Sequence, residues 1–108
     1  MEITKRMKED RLRAQVAIAL AAAAVGTSME DVAGGVRTTK VAFARQVAMY
    51  VAYVGFGMSL ARVAAAFGRD KSTIAHACKM MEDRRDEPSF DRWMEALEVS
   101  AANAPVSA

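Results

Sequence analysis

The stretch MSLARVAAAFGRDKSTIAHACKMM, Met58 to Met81, decides the fold of this 108-residue chain. It reads as two short helices joined by a tight turn. Ser59 suits the cap of a helix from Leu60 to Phe67, since its hydroxyl can accept from an unpaired N–H of the first turn. Gly68 breaks that helix, and Asp70 caps a second one from Lys71 to about Arg84. The second helix begins with slim polar and basic side chains, Lys71, Ser72 and Thr73. Such a helix end suits the major groove of a duplex, where small donors and acceptors meet base edges and a cation meets phosphate.

The sequence on either side is helical too. Leu12, Val16, Ala19, Leu20 and Ala23 recur at helical spacing and predict a first helix from about Thr4 to Val25 with these residues on its apolar face. Gly26 stops it. Ser28 caps a short helix from Met29 to Val32, with Glu30 and Asp31 in its first turn, where the helix dipole favours acids. Gly34-Gly35 opens a loop that ends in Arg37, Thr38, Thr39 and Lys40. A third helix runs from about Val41 to Val54 with Ala44, Val47, Ala48 and Val51 inward, and Gly55 and Gly57 end it. Pro88 and Ser89 start a last helix carrying Phe90, Trp93, Met94 and Leu97. The expectation is an all-α fold, a compact bundle of about six helices containing a helix-turn-helix. It forms a single domain over residues 1–108, with a flexible, frayed tail from about Ser100.

Composition narrows the function. One histidine and one cysteine exclude a tetrahedral zinc-finger site made by the chain alone. The single Cys78 cannot form an internal disulfide, which fits a reducing, cytoplasmic setting, nucleoid-associated if the partner is DNA. Val16–Val25 is an apolar run behind a basic N-terminus, but Glu2, Glu9 and Asp10 read against a signal peptide. The run is also too short to cross a bilayer. No nucleophile stands beside a plausible base, so no enzyme, cofactor, metal or small-molecule substrate is expected. The charge of +2 is unevenly spread: residues 1–36 are neutral, 37–85 carry +6 and 86–108 carry −4. Anionic partners are therefore steered to the segment holding the helix pair.

ARQVAMY at Ala44–Tyr50, then SL, AFGRD, ST and HAC at His76–Cys78, together with SMEDV at Ser28–Val32, resembles a known family. The order and near-family spacing are those of the C-terminal DNA-binding domain of DnaA, the bacterial replication initiator, with its Trp-repressor-like helix-turn-helix. The resemblance covers about residues 10–98. It lacks the ATP-binding module, and no Gly-rich Lys-Ser/Thr phosphate loop occurs in these residues. The reading is of such a domain standing alone, unable to melt an origin itself.

The resemblance implies a role for each matching residue. Arg37 matches the loop arginine that enters the minor groove. Arg45 matches a phosphate contact, so that its loss should weaken all sequences alike. Asp70 matches the aspartate that accepts from a cytosine amino group. Thr73 matches a backbone contact, and Lys79 a basic position further along the same helix. Lys71 and Ser72 stand where the family has histidine and threonine, and are read as groove contacts. Lys40, Arg62 and Arg69 complete the expected DNA-binding set, Arg62 and Arg69 at phosphates or, for Arg69, bracing the turn. The turn has one glycine, Gly68, where the family has two. Ala61 replaces a proline, Tyr53 a lysine, and Gly35-Val36 a basic cluster.

Other residues read as structural: His76 as an inward-facing packed histidine, Cys78 as a small buried hydrophobe, and Trp93 as the pin of the last helix. The expected function is that of a small DNA-binding regulator of replication initiation or transcription, with double-stranded DNA as partner and no membrane. The alternative is a mimic of the DnaA domain that acts by contact with DnaA or a DnaA-regulating protein. An orphan transcription factor from a mobile element would share the leading mechanism.

Overall fold

Six α-helices and one π-helical turn form within residues 2–105, the part of the chain that the computed structural model describes. They are α1 (Glu2–Val25), α2 (Met29–Ala33), α3 (Thr39–Tyr50) with its π-helical continuation Val51–Gly55, α4 (Leu60–Phe67), α5 (Lys71–Arg84) and α6 (Pro88–Ala102). No strand occurs among the described residues, so the fold is all-α as expected. Side-chain caps set several starts. Ser28, Thr38 and Ser59 accept from the N–H groups of Asp31, Val41 and Arg62 at 3.1, 3.2 and 3.2 Å. Pro88 occupies the first turn of α6, and the Glu87 carboxylate accepts from the N–H groups of Ser89 and Phe90.

Helix α3 is the centre. It packs against α1, α2 and α5, and α1 also meets α4 and α6. Val47, Ala48, Val51 and Ala52 are fully buried. The face expected of α3 is the one found.

The face expected of α1 is not. Leu12 is 43% exposed and Ala23 is exposed, while Ala14, Ala17, Ile18, Ala21 and Ala22 turn inward. An alanine-rich helix offers several stripes of nearly equal hydrophobicity. The one chosen carries the smallest side chains, which lets the backbone of α3 come close. The same stripe brings in a charge. Asp10 is 6% exposed and accepts from Arg62 Nε at 2.9 Å and Nη2 at 2.6 Å, and from Arg13 at 2.9 Å. These two arginines satisfy its carboxylate and tie α1 to the start of α4.

Helical bonding does not stop at Val54. The Phe56 N–H reaches the Val51 carbonyl, and the chain leaves at Gly57 with φ +66°. The wide turn brings Gly55 against α6, where an added Cβ would lie 3.0 Å from Ala101 Cβ. Hence Ala101 is buried, and α6 continues to Ala102 where a frayed tail was expected from Ser100. Residues 106–108 of that tail lie outside the described residues.

Arg85, at the end of α5, holds α6 down through Asp91 at 2.6 Å and Glu98 at 2.9 Å, and donates to Tyr50 Oη at 3.2 Å. Burial works against this charge, yet the three bonds hold its proton more firmly than usual. Trp93 pins α6 as expected, stacked on Phe43 at 6.0 Å and beside Phe90 at 5.6 Å. Arg84 lies over Phe43 and Phe90.

Two stability predictions follow from these contacts. The Arg62 hydrogen bonds lower the Asp10 pKa despite its burial. A depressed folded pKa gives stability that is present above the unfolded carboxylate value and lost as pH falls through the folded one. Asp10→Asn should therefore cost about 2 kcal/mol at pH 7, and the difference from wild type should shrink in denaturant titrations below about pH 4. Gly68 sits at φ +66°, ψ 38° with open space around it. Gly68→Ala should thus cost about 1 kcal/mol through backbone conformation alone, read as a shift in melting temperature.

Candidate nucleic-acid interface

The turn between α4 and α5 is Gly68, Arg69 and Asp70. Gly68 in the left-handed region closes α4, its N–H and that of Arg69 both reaching the Ala64 carbonyl. Asp70 takes the N-cap position of α5, but its carboxylate makes no capping bond. The helix start is instead closed by the Asp70 backbone carbonyl, which accepts from Thr73 N–H at 3.0 Å. The carboxylate stays exposed and aimed at solvent-side partners.

Ile74, Ala77, Cys78 and Met81 form the inward stripe of α5. Lys71, Ser72, Thr73 and Lys79 are exposed on the outer side. Burial, with Glu82 adding to it, pushes the Cys78 thiol up to about 11, so it stays protonated and inert. His76 departs from the inward position expected of it: it is exposed. It follows Thr73 by one turn and shares its face, a spacing visible in the sequence once Ile74, Ala77 and Met81 are taken as the buried stripe.

Beside this face lies the loop between α2 and α3. Arg45, one turn and a half into α3, donates from Nε to the Val32 carbonyl at 2.9 Å. Its Nη2 lies 2.9, 2.9 and 3.0 Å from the carbonyls of Asp31, Gly34 and Val36. Arg69 adds a bond from its own Nη2 to the Gly34 carbonyl at 3.0 Å. The expected phosphate contact at Arg45 is therefore occupied largely by the protein's own backbone, and Arg69 braces the turn.

Between loop, α3 and α5 opens a cleft of about 360 Å³, lined by Arg37, Arg45, Arg69, Thr73, His76 and Gln46 among others. No carboxylate lines it. Burial first, then the charges of Arg69 and Arg37, lower the Arg45 pKa. An anion arriving here relieves repulsion between guanidinium groups. Neither Arg37 nor Lys71 forms an ion pair among the described residues, so both cations face outward unneutralised.

The other expected DNA contacts lie outside this cleft. Arg62 is bound to Asp10 rather than free for phosphate. Lys40 lies against the turn that ends α1, its Nζ 3.5 Å from where a Gly26 Cβ would stand. There it complements the carbonyl end of α1. Lys79 is highly exposed and only loosely paired with Asp83 at 3.6 Å, so its charge remains at the surface. His76 and Gln46 line the cleft although the sequence reading did not place them there, and the backbone role of Arg45 had no signal in the sequence.

Known proteins share this arrangement. The model of the bacterial DnaA protein helix-turn-helix matches residues 14–81. The chromosomal replication initiator protein DnaA 1 of Protochlamydia amoebophila is 34% identical over 83 residues, 77% of this chain and 18% of that protein. DnaA 2 of Chlamydia trachomatis is 39% identical over 62 residues, 57% of this chain and 14% of that protein. The crystal structure of a DNA replication initiation factor superposes with a TM-score of 0.78 at 27% identity, covering 94% of this chain and 31% of that one. This chain thus spans less than a fifth of the length of these initiator proteins. With the family model covering most of the helical bundle and the initiators aligned across it, the chain belongs to the bacterial DnaA helix-turn-helix family.

Proposed function

We propose that this protein binds double-stranded DNA in a sequence-dependent way and acts in the control of replication initiation or transcription. The observation that carries this reading is the joint exposure of two unneutralised cationic elements on one side of the molecule. One is the start of α5 with Lys71, Ser72 and Thr73; the other is the Arg37 loop across the cleft.

Helix α5 enters the major groove by its N-terminal end. Asp70 accepts from a cytosine amino group, Ser72 and Lys71 meet base edges or phosphate, and Thr73 contacts the backbone. Arg37 reaches the neighbouring minor groove, where a narrow A·T-rich segment concentrates negative potential. Arg69, His76 and Lys79 flank the path of the phosphates. Arg62 leaves the contact set, because Asp10 already holds it; Lys40, exposed and without an ion pair among the described residues, stays in it. Lysine at position 71 lacks the planar ring and adds a flexible cation, which supports a preferred site different from the standard initiator box.

Anisotropy of labelled duplexes over a salt series tests this reading. A steep salt slope with at least tenfold preference for one duplex over its scrambled version is expected. The double variant Arg37→Ala, Lys71→Ala should lose at least about thirtyfold in affinity for the preferred duplex, about 2 kcal/mol. Absence of binding even at low salt would reject DNA as the partner and favour a role through protein contact.

A further inference from the structure

The loop that carries Arg37 has little of its own to hold it. Gly34, Gly35 and Val36 are exposed, and a Cβ on Gly35 would meet nothing within 4 Å. Glycine pairs have the largest backbone freedom of any sequence, so such a loop is expected to wander. Here its carbonyls are gathered instead. Two of them, from Gly34 and Val36, converge on the Arg45 guanidinium, together with the carbonyls of Asp31 and Val32 at the end of α2, four in all. One of the four, Gly34, also accepts from Arg69.

We propose that Arg45 and Arg69 are positioning residues: through their shared acceptor, the Gly34 carbonyl, they fix the Arg37 loop relative to α5, so that the minor-groove and major-groove contacts form as one unit. This rests on the DNA-binding reading above.

The geometry carries the argument. Arg45 reaches the loop from α3, and Arg69 reaches it from the turn that starts α5, one residue before the N-cap Asp70. The loop is thereby tied to the central helix and to the recognition helix at once. A planar guanidinium can bridge several carbonyls in a fixed fork, which the single ammonium of lysine cannot. The fastening persists although it brings two cations to one oxygen and although burial disfavours the Arg45 charge. A loop held before DNA arrives loses less conformational freedom on binding, and that saving appears only at sites where Arg37 finds its groove. Such a role differs from a phosphate contact in sign and pattern. A phosphate contact contributes to every sequence and to the salt slope. A positioning residue contributes to preference and leaves the slope alone. Only Nη1 of Arg45 has no protein partner among the described residues, so a phosphate contact would have to use that edge.

The test uses the charge-conserving variants Arg45→Lys and Arg69→Lys in the full chain. The probes are the duplex that the wild type selects from a random pool and its scrambled version. Preference for the selected duplex should fall at least tenfold in each variant, with affinity for the scrambled duplex and the salt slope unchanged. Backbone NMR order parameters at residues 35–37 of the free protein should fall clearly below the wild-type values in each variant. Arg37→Ala should add little in the Arg45→Lys background, because the interaction it removes is already lost. Thermal melting controls for folding; Arg69→Lys, on a surface turn, carries the test if Arg45→Lys fails to fold.

Unchanged preference in both variants, with the wild type still selective, overturns the positioning role alone. So does a uniform loss with a slope lower by about one in Arg45→Gln, which would make Arg45 a phosphate contact. A wild type that selects no duplex removes the DNA-binding reading, and the positioning role with it.

Discussion

The arrangement of the cleft between the Arg37 loop, α3 and α5 hangs on where the carbonyls from Asp31 to Val36 go. The last carbonyls of α2 and those of the glycine loop after it need partners that neither segment supplies. Arg45 supplies them from nine to fourteen residues away, and Arg69 adds a second bond to the Gly34 carbonyl from thirty-five residues away. The consequence is spatial. Arg37 stands across a cleft from Thr73 and His76 rather than on a free arm. Two segments far apart in the chain thus present one continuous cationic surface.

The bundle beneath this surface is built from small side chains brought close. Alanines of α1 and the valines and alanines of α3 leave little room between the helices, and the π-helical turn lets Gly55 sit against Ala101. Where charge enters the interior it is fully matched. Asp10 is held by Arg62 and Arg13, and Arg85 by Asp91, Glu98 and Tyr50. These ion pairs explain the lopsided charge of the chain. Part of the acidity of the last segment is consumed by Arg85 and by the Glu87 cap, and part of the basicity of the middle is consumed by the fold. What is left over, at Arg37 and Lys71 above all, with Lys79 only loosely paired to Asp83, is the charge available to a partner.

Local signals in the sequence were strong wherever a single residue type decides a boundary. Ser59, Gly68 and Ser28 mark element ends found within a residue of their expected places, because capping and left-handed backbone are short-range matters. The inward stripe of α3 was legible because the helix is apolar along most of its length and buries nearly all of its second half, so the expected residues fall inside whichever face is chosen. The stripe of α1 was not, since alanine occupies nearly every candidate face and hydrophobicity alone cannot rank them. His76 was misread because it directly precedes the buried Ala77 and Cys78 in the chain, although a helix turns successive residues more than a quarter-turn apart.

Sequence alone determined the helical class, the helix-turn-helix with Gly68 at its bend, the basic character of residues 37–85, and the family resemblance through Ala44–Tyr50 and His76–Cys78. All of these are carried by near neighbours in the chain. Tertiary structure alone decided which arginines are free. Arg37, Arg45, Arg62 and Arg69 are chemically identical side chains, and nothing adjacent to them in sequence distinguishes a groove contact from a backbone brace or a buried partner of Asp10. Their roles depend on acceptors nine to fifty-two residues away, and only folding brings those within hydrogen-bond reach.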